Sequence, residues 1–247
     1  MGRIVAISGG TLETTEKLNK YILELTKKEN PNVLFVPTAS KDDAGYIAEF
    51  TEAFEKLGAN VGTAKLTCKQ YSESELQSMI DWADAIYVGD GNLLFMMKTW
   101  RKMQFDDILY RTFTGDSAVL AGIGAGCTCW FNCGYSNSDY NRGMTDWNYM
   151  WADNLLDLHH TSACPHYNRD AVRGFDLRLM EKGLPSFALE DNTAFTQNGD
   201  RSLFLKSTAD ANAYYMLYLN GEVSHKEIKL RFPDEIEETD QAAEMPY

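Results

Sequence analysis

The first half of the chain alternates short apolar runs with longer amphipathic ones, a rhythm that predicts strands separated by helices. Residues 3–8 read as a buried strand, and residues from about 11 to 28 as a helix with Leu18, Ile22 and Leu25 on one face. Residues 33–36 form the next strand. The helix after it, about 43–57, carries Ile47, Phe50 and Phe54 at helical spacing and stops at Gly58. A weaker strand covers residues 61–66. Ser72-Glu-Ser-Glu75 has the form of a capping box, so a helix is expected through Ile80 and Trp82. Residues 85–88 form a strand that ends in Gly89-Asp-Gly-Asn92, and residues 118–123 form the strand after it. Apolar strands alternating with helices predict a three-layer α/β fold, with a mostly parallel central sheet and helices on both faces.

The second half is less regular. Residues 133–161 are rich in Asn, Asp, Gly and aromatics, and read as a long irregular segment draped over a cleft. Residues 162–164 read as a short strand before Pro165-His166-Tyr167. Asn198-Gly199 and Asn220-Gly221 each sit between apolar runs and predict antiparallel hairpins at the C-terminal edge. One domain over residues 1–233, followed by an acidic tail at 234–247, is the expected organisation.

Composition narrows the partners. The formal net charge of −13 argues against nucleic acid and against an anionic membrane, because both require a basic face. No apolar run is long enough for a membrane-spanning helix. The N-terminus reads as a first strand rather than a signal peptide. Five cysteines, an odd number without a regular framework, suit a reducing compartment, so a cytoplasmic location is expected. Phe95 and Met96 fit either a homodimer contact or helix-to-sheet packing.

The chemistry concentrates at Leu120-Ala-Gly-Ile-Gly-Ala-Gly-Cys127, which has the frame of a nucleophile elbow. In Gly-x-Ser-x-Gly the central residue sits on a sharp strand-to-helix turn that lifts its side chain into a cleft. Here the central residue is Gly124, which has no side chain to lift, and residues 127–131 read as the start of the following helix. Cys127, three positions on, is an alternative nucleophile at a helix start. Its competing reading is a small buried residue packed on the sheet. The Cys127, Cys129, Cys133, Cys164 and His166 set fits no zinc spacing, so no metal and no organic cofactor is expected.

Together, Val33-Leu-Phe-Val-Pro-Thr-Ala-Ser40, Tyr87-Val-Gly-Asp-Gly-Asn92, Gly122-Ile-Gly-Ala-Gly126 with Cys129-Trp-Phe131, Gly134-Tyr-Ser-Asn-Ser138 and Cys164-Pro-His-Tyr167 resemble a known family. It is that of the peptidase E (aspartyl dipeptidase) and cyanophycinase-like serine peptidases, which share the class I glutamine amidotransferase-like fold. The resemblance runs from about residue 3 to about residue 230. It implies hydrolysis of short, acidic peptides, with His166 as base and the backbone N–H groups of Gly91 and Ala125 as oxyanion hole. A short peptide or amino acid is the expected ligand, with Asn92 and Arg173 as candidate contacts; Arg173 reads either as a partner for a substrate carboxylate or as a helix-surface arginine near Asp176. Trp147, Tyr149 and Trp151 read either as lining a peptide cleft or as anchoring the long loop to the sheet, whereas His159, His160 and His225 match nothing in the pattern and read as surface residues.

Three positions depart from the family. The nucleophile position is Gly124, the acid position is Asn137 with Asp139 as a possible substitute, and Asp90 brings negative charge towards the oxyanion hole. Loss of a triad nucleophile costs on the order of 10⁶ in rate, so peptide hydrolysis is expected to be lost or impaired. The competing expectations are an amide hydrolase using Cys127 or water, and a protein that only binds a peptide or amino acid.

Overall fold

The computed structural model describes residues 2–136, 149–172 and 174–236. Thirteen strands and seven α-helices follow one another among them. The first half runs β1 (Arg3–Ile7), α1 (Glu16–Leu25), β2 (Asn32–Val36), α2 (Ala44–Lys56), β3 (Asn60–Thr63), α3 (Glu73–Trp82), β4 (Ala85–Val88), α4 (Leu93–Met103), α5 (Phe105–Thr114) and β5 (Val119–Ile123). The second half runs α6 (Ala125–Thr128), β6 (Phe131–Ser136), β7 (Met150–Ala152), β8 (His159–Cys164), α7 (Phe175–Arg178), β9 (Ser186–Leu189), β10 (Thr193–Asn198), β11 (Arg201–Lys206), β12 (Ala213–Leu219) and β13 (Glu222–Glu227).

The central sheet has seven strands in the order β11-β10-β1-β5-β4-β2-β3. The five strands from the first half are mutually parallel, and the β10–β11 hairpin joins antiparallel beside β1. Alternation within the strands sorts their side chains to two faces. Val5, Ile7, Phe35, Tyr87 and Ala121 pack with Leu18 and Ile22 of α1 and with Phe50 and Phe54 of α2. Ile4, Leu34, Ile86 and Leu120 face the opposite way, onto Ile80, Met96, Trp100 and Leu109 of α3, α4 and α5. These are the helix-covered faces expected from the periodicity. The α3 capping box is present in full, and Asp43 caps α2 by accepting from Tyr46 N–H.

The structure departs from the expected pattern at four elements, α4, α5, α6 and β6. Two helices, α4 and α5, interrupt the expected direct step from β4 to β5. Leu93, Met96, Met97 and Trp100 carry the buried face of α4, so Met96 is core packing rather than a surface contact. The helix expected after the elbow lasts one turn, and Phe131–Ser136 turns back into a strand. That strand seeds a second sheet of order β13-β12-β9-β8-β6-β7, so the 133–161 segment is not irregular throughout. Phe131 and Phe187 of this sheet join the same core as Leu120 and Trp100, which fastens the two sheets together.

Both expected hairpins form, one at an edge of each sheet. Asn220 and Gly221 each adopt positive φ (54° and 89°), the signature of a type I′ turn. At residues 233–236, where a loose tail is expected to begin, Pro233–Glu235 makes a 3₁₀ turn and Phe232 lies under the Lys17 and Lys206 ammonium groups. Residues 237–247, the rest of the expected acidic tail, lie outside the described residues. Among those described, no helix is long and apolar enough to cross a membrane.

Candidate functional site

The carboxyl ends of β1, β4 and β5 in one sheet and of β8 and β9 in the other converge on one place. Each delivers a short loop: Ser8-Gly9, Gly89-Asp90-Gly91, Gly124, Pro165-His166 and Glu190-Asp191. Ligand sites of open α/β sheets form at such strand ends.

Gly124 joins β5 to α6 with φ 58° and ψ −109°, a conformation that costs a side-chain-bearing residue on the order of 1–3 kcal/mol. Its N–H donates to Ile7 O at 3.1 Å, and its carbonyl accepts from Thr128 N–H at 3.0 Å. Glycine thus stands at the apex of a sharp strand-to-helix turn.

The space above that apex is filled. A β-carbon added to Gly124 would lie 2.0 Å from Asp90 Oδ1 and 2.2 Å from its Cγ. The same Oδ1 accepts from Gly91 N–H at 2.7 Å and from Ala125 N–H at 2.8 Å. These two amides are the pair that the family resemblance implied for an oxyanion hole, and here both donate to a carboxylate of the same chain. Two backbone donors on one oxygen offset the unfavourable approach of negative charge that Asp90 suggested in the sequence. Asp90 N–H in turn donates to the Tyr46 hydroxyl at 3.3 Å.

His166 stands beside this carboxylate, with Nε2 at 3.9 Å from Asp90 Oδ2. Its backbone is left-handed, with φ 58°, and is held there by its N–H donating to Ser8 Oγ at 2.8 Å. Ser8, fully buried, donates onward to Leu189 O at 2.7 Å, so one hydroxyl ties β1 to β9 and to the histidine loop.

Among the described residues, the acid that meets the imidazole is Asp191. Asp191 Oδ1 lies 2.6 Å from His166 Nδ1, and Arg169 binds the same carboxylate through Nε at 2.8 Å and Nη2 at 3.2 Å. Burial opposes the Asp191 charge, but hydrogen bonds from His166 and Arg169 outweigh it and hold the carboxyl below its ordinary value. Glycine is required at position 9 to admit this pair, since a β-carbon there would stand 2.1 Å from Asp191 Oδ1. Asn137, Asp139, Trp147 and Arg173 lie outside the described residues.

Other expectations move elsewhere. Asn92 caps α4, its Oδ1 accepting from Phe95 N–H at 2.8 Å. Cys127 is fully buried and burial drives its thiol pKa far up, the environment of a packed core cysteine. Tyr149 and Trp151 pack on Tyr135 within the aromatic cluster around Phe175. His159 is not a surface residue: it stacks on Phe187 at 5.6 Å, and burial lowers its pKa. Among the described residues, no cluster of three His, Cys, Asp or Glu side chains is arranged to hold a metal.

A cleft of about 700 Å³ opens beside Asp90, with Tyr46, Gly10 and Ile123 on its wall. Glu13, Glu16, Glu49 and Glu52 also line it, against one lysine, Lys56, that is already paired with Glu52 at 2.6 Å. Its charge is unfavourable for an acidic ligand.

Asp191 was not legible from motif spacing because it lies 25 residues beyond His166 and arrives through the β8–β9 pairing. The available signal was the polar run Glu190-Asp191-Asn192 between two apolar strands.

Comparison with known proteins agrees with this architecture. The chain matches the model of Peptidase family S51 over residues 4–204. It is 30% identical over 240 residues to the uncharacterized peptidase YgaJ of Bacillus subtilis (strain 168), covering 94% of this chain and 99% of that one. Its fold resembles the crystal structure of a candidate peptidase E from Listeria monocytogenes EGD-e, with a TM-score of 0.60 at 18% identity over 83% of this chain and 98% of that one. It also resembles a peptidase from an acI-B1 actinobacterium, with a TM-score of 0.64 at 16% identity over 93% of this chain and 95% of that one. The elbow, the facing histidine and the match along most of its length agree: the chain belongs to peptidase family S51.

Proposed function

We propose that this protein is a peptidase E-like homologue in which hydrolysis of short peptides is lost or severely impaired, while the cleft and its backbone donors are kept. One observation carries the reading. Asp90 Oδ1 already accepts from both Gly91 N–H and Ala125 N–H, the two donors that a peptide carbonyl oxygen would need. With no side chain at Gly124 there is also nothing to attack that carbonyl. A water activated by His166 would meet the same filled hole.

The ligand class in this reading is a short peptide or an amino acid. The glutamates of the cleft favour a neutral or cationic one over the acidic peptides implied by the family. A cytoplasmic location belongs to the same reading, supported by five cysteines that are all free.

The test is turnover of a dipeptide panel with Asp, Ala and Lys at the N-terminal position, followed by amine release. No release above the uncatalysed rate is expected for the wild-type chain. Turnover of any member at about 1 s⁻¹ or faster, an ordinary enzymatic rate, would overturn the reading.

A further inference from the structure

We propose that Asp90 is a carboxylate nucleophile, and that the site opens small neutral epoxides through an alkyl ester formed on Asp90 Oδ2. This activity goes beyond the loss of peptide hydrolysis and is tested separately from it.

The two oxygens of Asp90 are not equivalent. Oδ1 is fixed by Gly91 N–H and Ala125 N–H at 2.7 and 2.8 Å. Oδ2 faces His166 Nε2 at 3.9 Å on a side chain that is 46% exposed. The arrangement excludes amide chemistry, since attack on a carbonyl creates an oxyanion and the donors for it are taken. Attack on an epoxide carbon puts the developing charge on the ring oxygen instead, away from the Gly91 and Ala125 amides. The donors are needed later, when water adds to the resulting ester and charge builds on Oδ1, the oxygen they already hold. Two amides, one carboxylate and one imidazole thus match a two-step ester route and not peptide cleavage.

Tyr46 selects the electrophile. Its hydroxyl accepts from Asp90 N–H at 3.3 Å, and among the described residues its own proton has no acceptor. Tyr46 and Asp90 line the same cleft. Burial, reinforced by the Asp90 charge, pushes the phenol pKa well above its ordinary value, so Tyr46 keeps its proton and can donate it. An epoxide needs such a donor for its ring oxygen, and a neutral molecule meets no repulsion from Glu13, Glu16, Glu49 and Glu52.

The steps balance. An Oδ2 lone pair attacks an epoxide carbon, that C–O bond breaks, and the ring oxygen takes the Tyr46 proton, leaving a hydroxyalkyl ester and a phenolate. Water gives a proton to His166 Nε2 and adds to the Asp90 carbonyl carbon. The intermediate collapses by breaking the bond from that carbon to Oδ2, and the departing alkoxide takes the proton from His166. The diol leaves with the old Oδ2. The regenerated carboxyl, carrying the oxygen from water, returns its proton to Tyr46. The sum is epoxide plus water to diol. Asp191 and Arg169 orient the imidazole, and Ser8 holds its loop as a positioning residue.

The experiment uses para-nitrophenyl glycidyl ether as the probe. Wild-type protein is incubated with it in 18O-water, the diol is quantified, and the peptide carrying Asp90 is weighed. Diol formation with one heavy oxygen in Asp90 is the expected result. His166→Gln is expected to stop at the ester, with one probe per chain on Asp90, and Tyr46→Phe to lower diol formation about 100-fold. Asp90→Asn is expected to give neither diol nor label. Diol without heavy oxygen in Asp90, equal labelling of Asp90→Asn, or no reaction of the wild-type chain would each overturn the proposal. If His166→Gln does not fold, the wild-type isotope result decides alone.

Discussion

The Asp90 carboxylate occupies the place of a side chain on Gly124, with Oδ1 only 2.0 Å from where a β-carbon would be. In the sequence the two positions look like independent departures from a serine peptidase. In space they are complementary, because the volume vacated at one is taken by the other. Simple decay explains this poorly. A strained His166, a buried Ser8 tether and a carboxylate held by two donors are all still assembled around the site.

Restoring serine alone is therefore expected to fail. Gly124→Ser puts a side chain into the Asp90 carboxylate and into an unfavourable backbone conformation, and is expected to lower stability by about 1–3 kcal/mol without dipeptide turnover. The Asp90→Gly/Gly124→Ser pair empties the hole and supplies the hydroxyl. Dipeptide assays on both variants check this, with turnover expected only in the pair.

Ser8→Ala removes one acceptor and one donor from a fully buried place and leaves His166 N–H without its partner, while Leu189 O keeps only the Tyr167 N–H. A loss of about 1–3 kcal/mol is expected. For a chain of this size each kcal/mol lowers Tm by roughly 2–4 °C, which thermal melts of the two proteins would read.

Asp191 sets an acid limit. Its folded pKa lies below its unfolded value of about 3.8, so the stability it contributes is complete above that value and is lost as pH falls through the folded pKa. Asp191→Asn is expected to lower stability at neutral pH and to flatten the acid limb of the profile. Chemical denaturation between pH 2 and pH 7 measures both effects.

Cysteine reactivity should separate burial from catalysis. Cys68 is exposed and the other four cysteines are buried, with burial raising the Cys127, Cys129, Cys133 and Cys164 thiols. Iodoacetamide on native protein is expected to add one label, abolished by Cys68→Ser, and five after denaturation. Rapid labelling of Cys127 would contradict this.

The parallel sheet was legible because each strand and helix carries its own period. Phe50 and Phe54 fall on one helix face, Ser72 and Glu75 complete a local box, and Asn220-Gly221 specifies its turn without outside help. Elements whose form is set by distant partners were harder to read. The apolar run 127–131 resembles a helix start, yet α6 ends after one turn because Phe131 is drawn into the second sheet beside His159. The α4 helix carried a readable face in Leu93, Met96, Met97 and Trp100, opened by the Asn92 cap. At the site, the sharp turn at Gly124 and the loop carrying His166 are local patterns in the sequence. The Asp191 contact and the seat of Asp90 are not, since both arise between residues that only the folded sheets bring together.

The seat of the Asp90 carboxylate is tested most directly by comparing the amide proton resonances of Gly91 and Ala125 by NMR in the wild-type chain and in Asp90→Ala at one neutral pH. Both are expected to lie downfield in the wild-type chain, where they donate to one carboxylate oxygen, and both to move upfield in the variant. Resonances that stay in place for either amide would contradict a carboxylate seated between them.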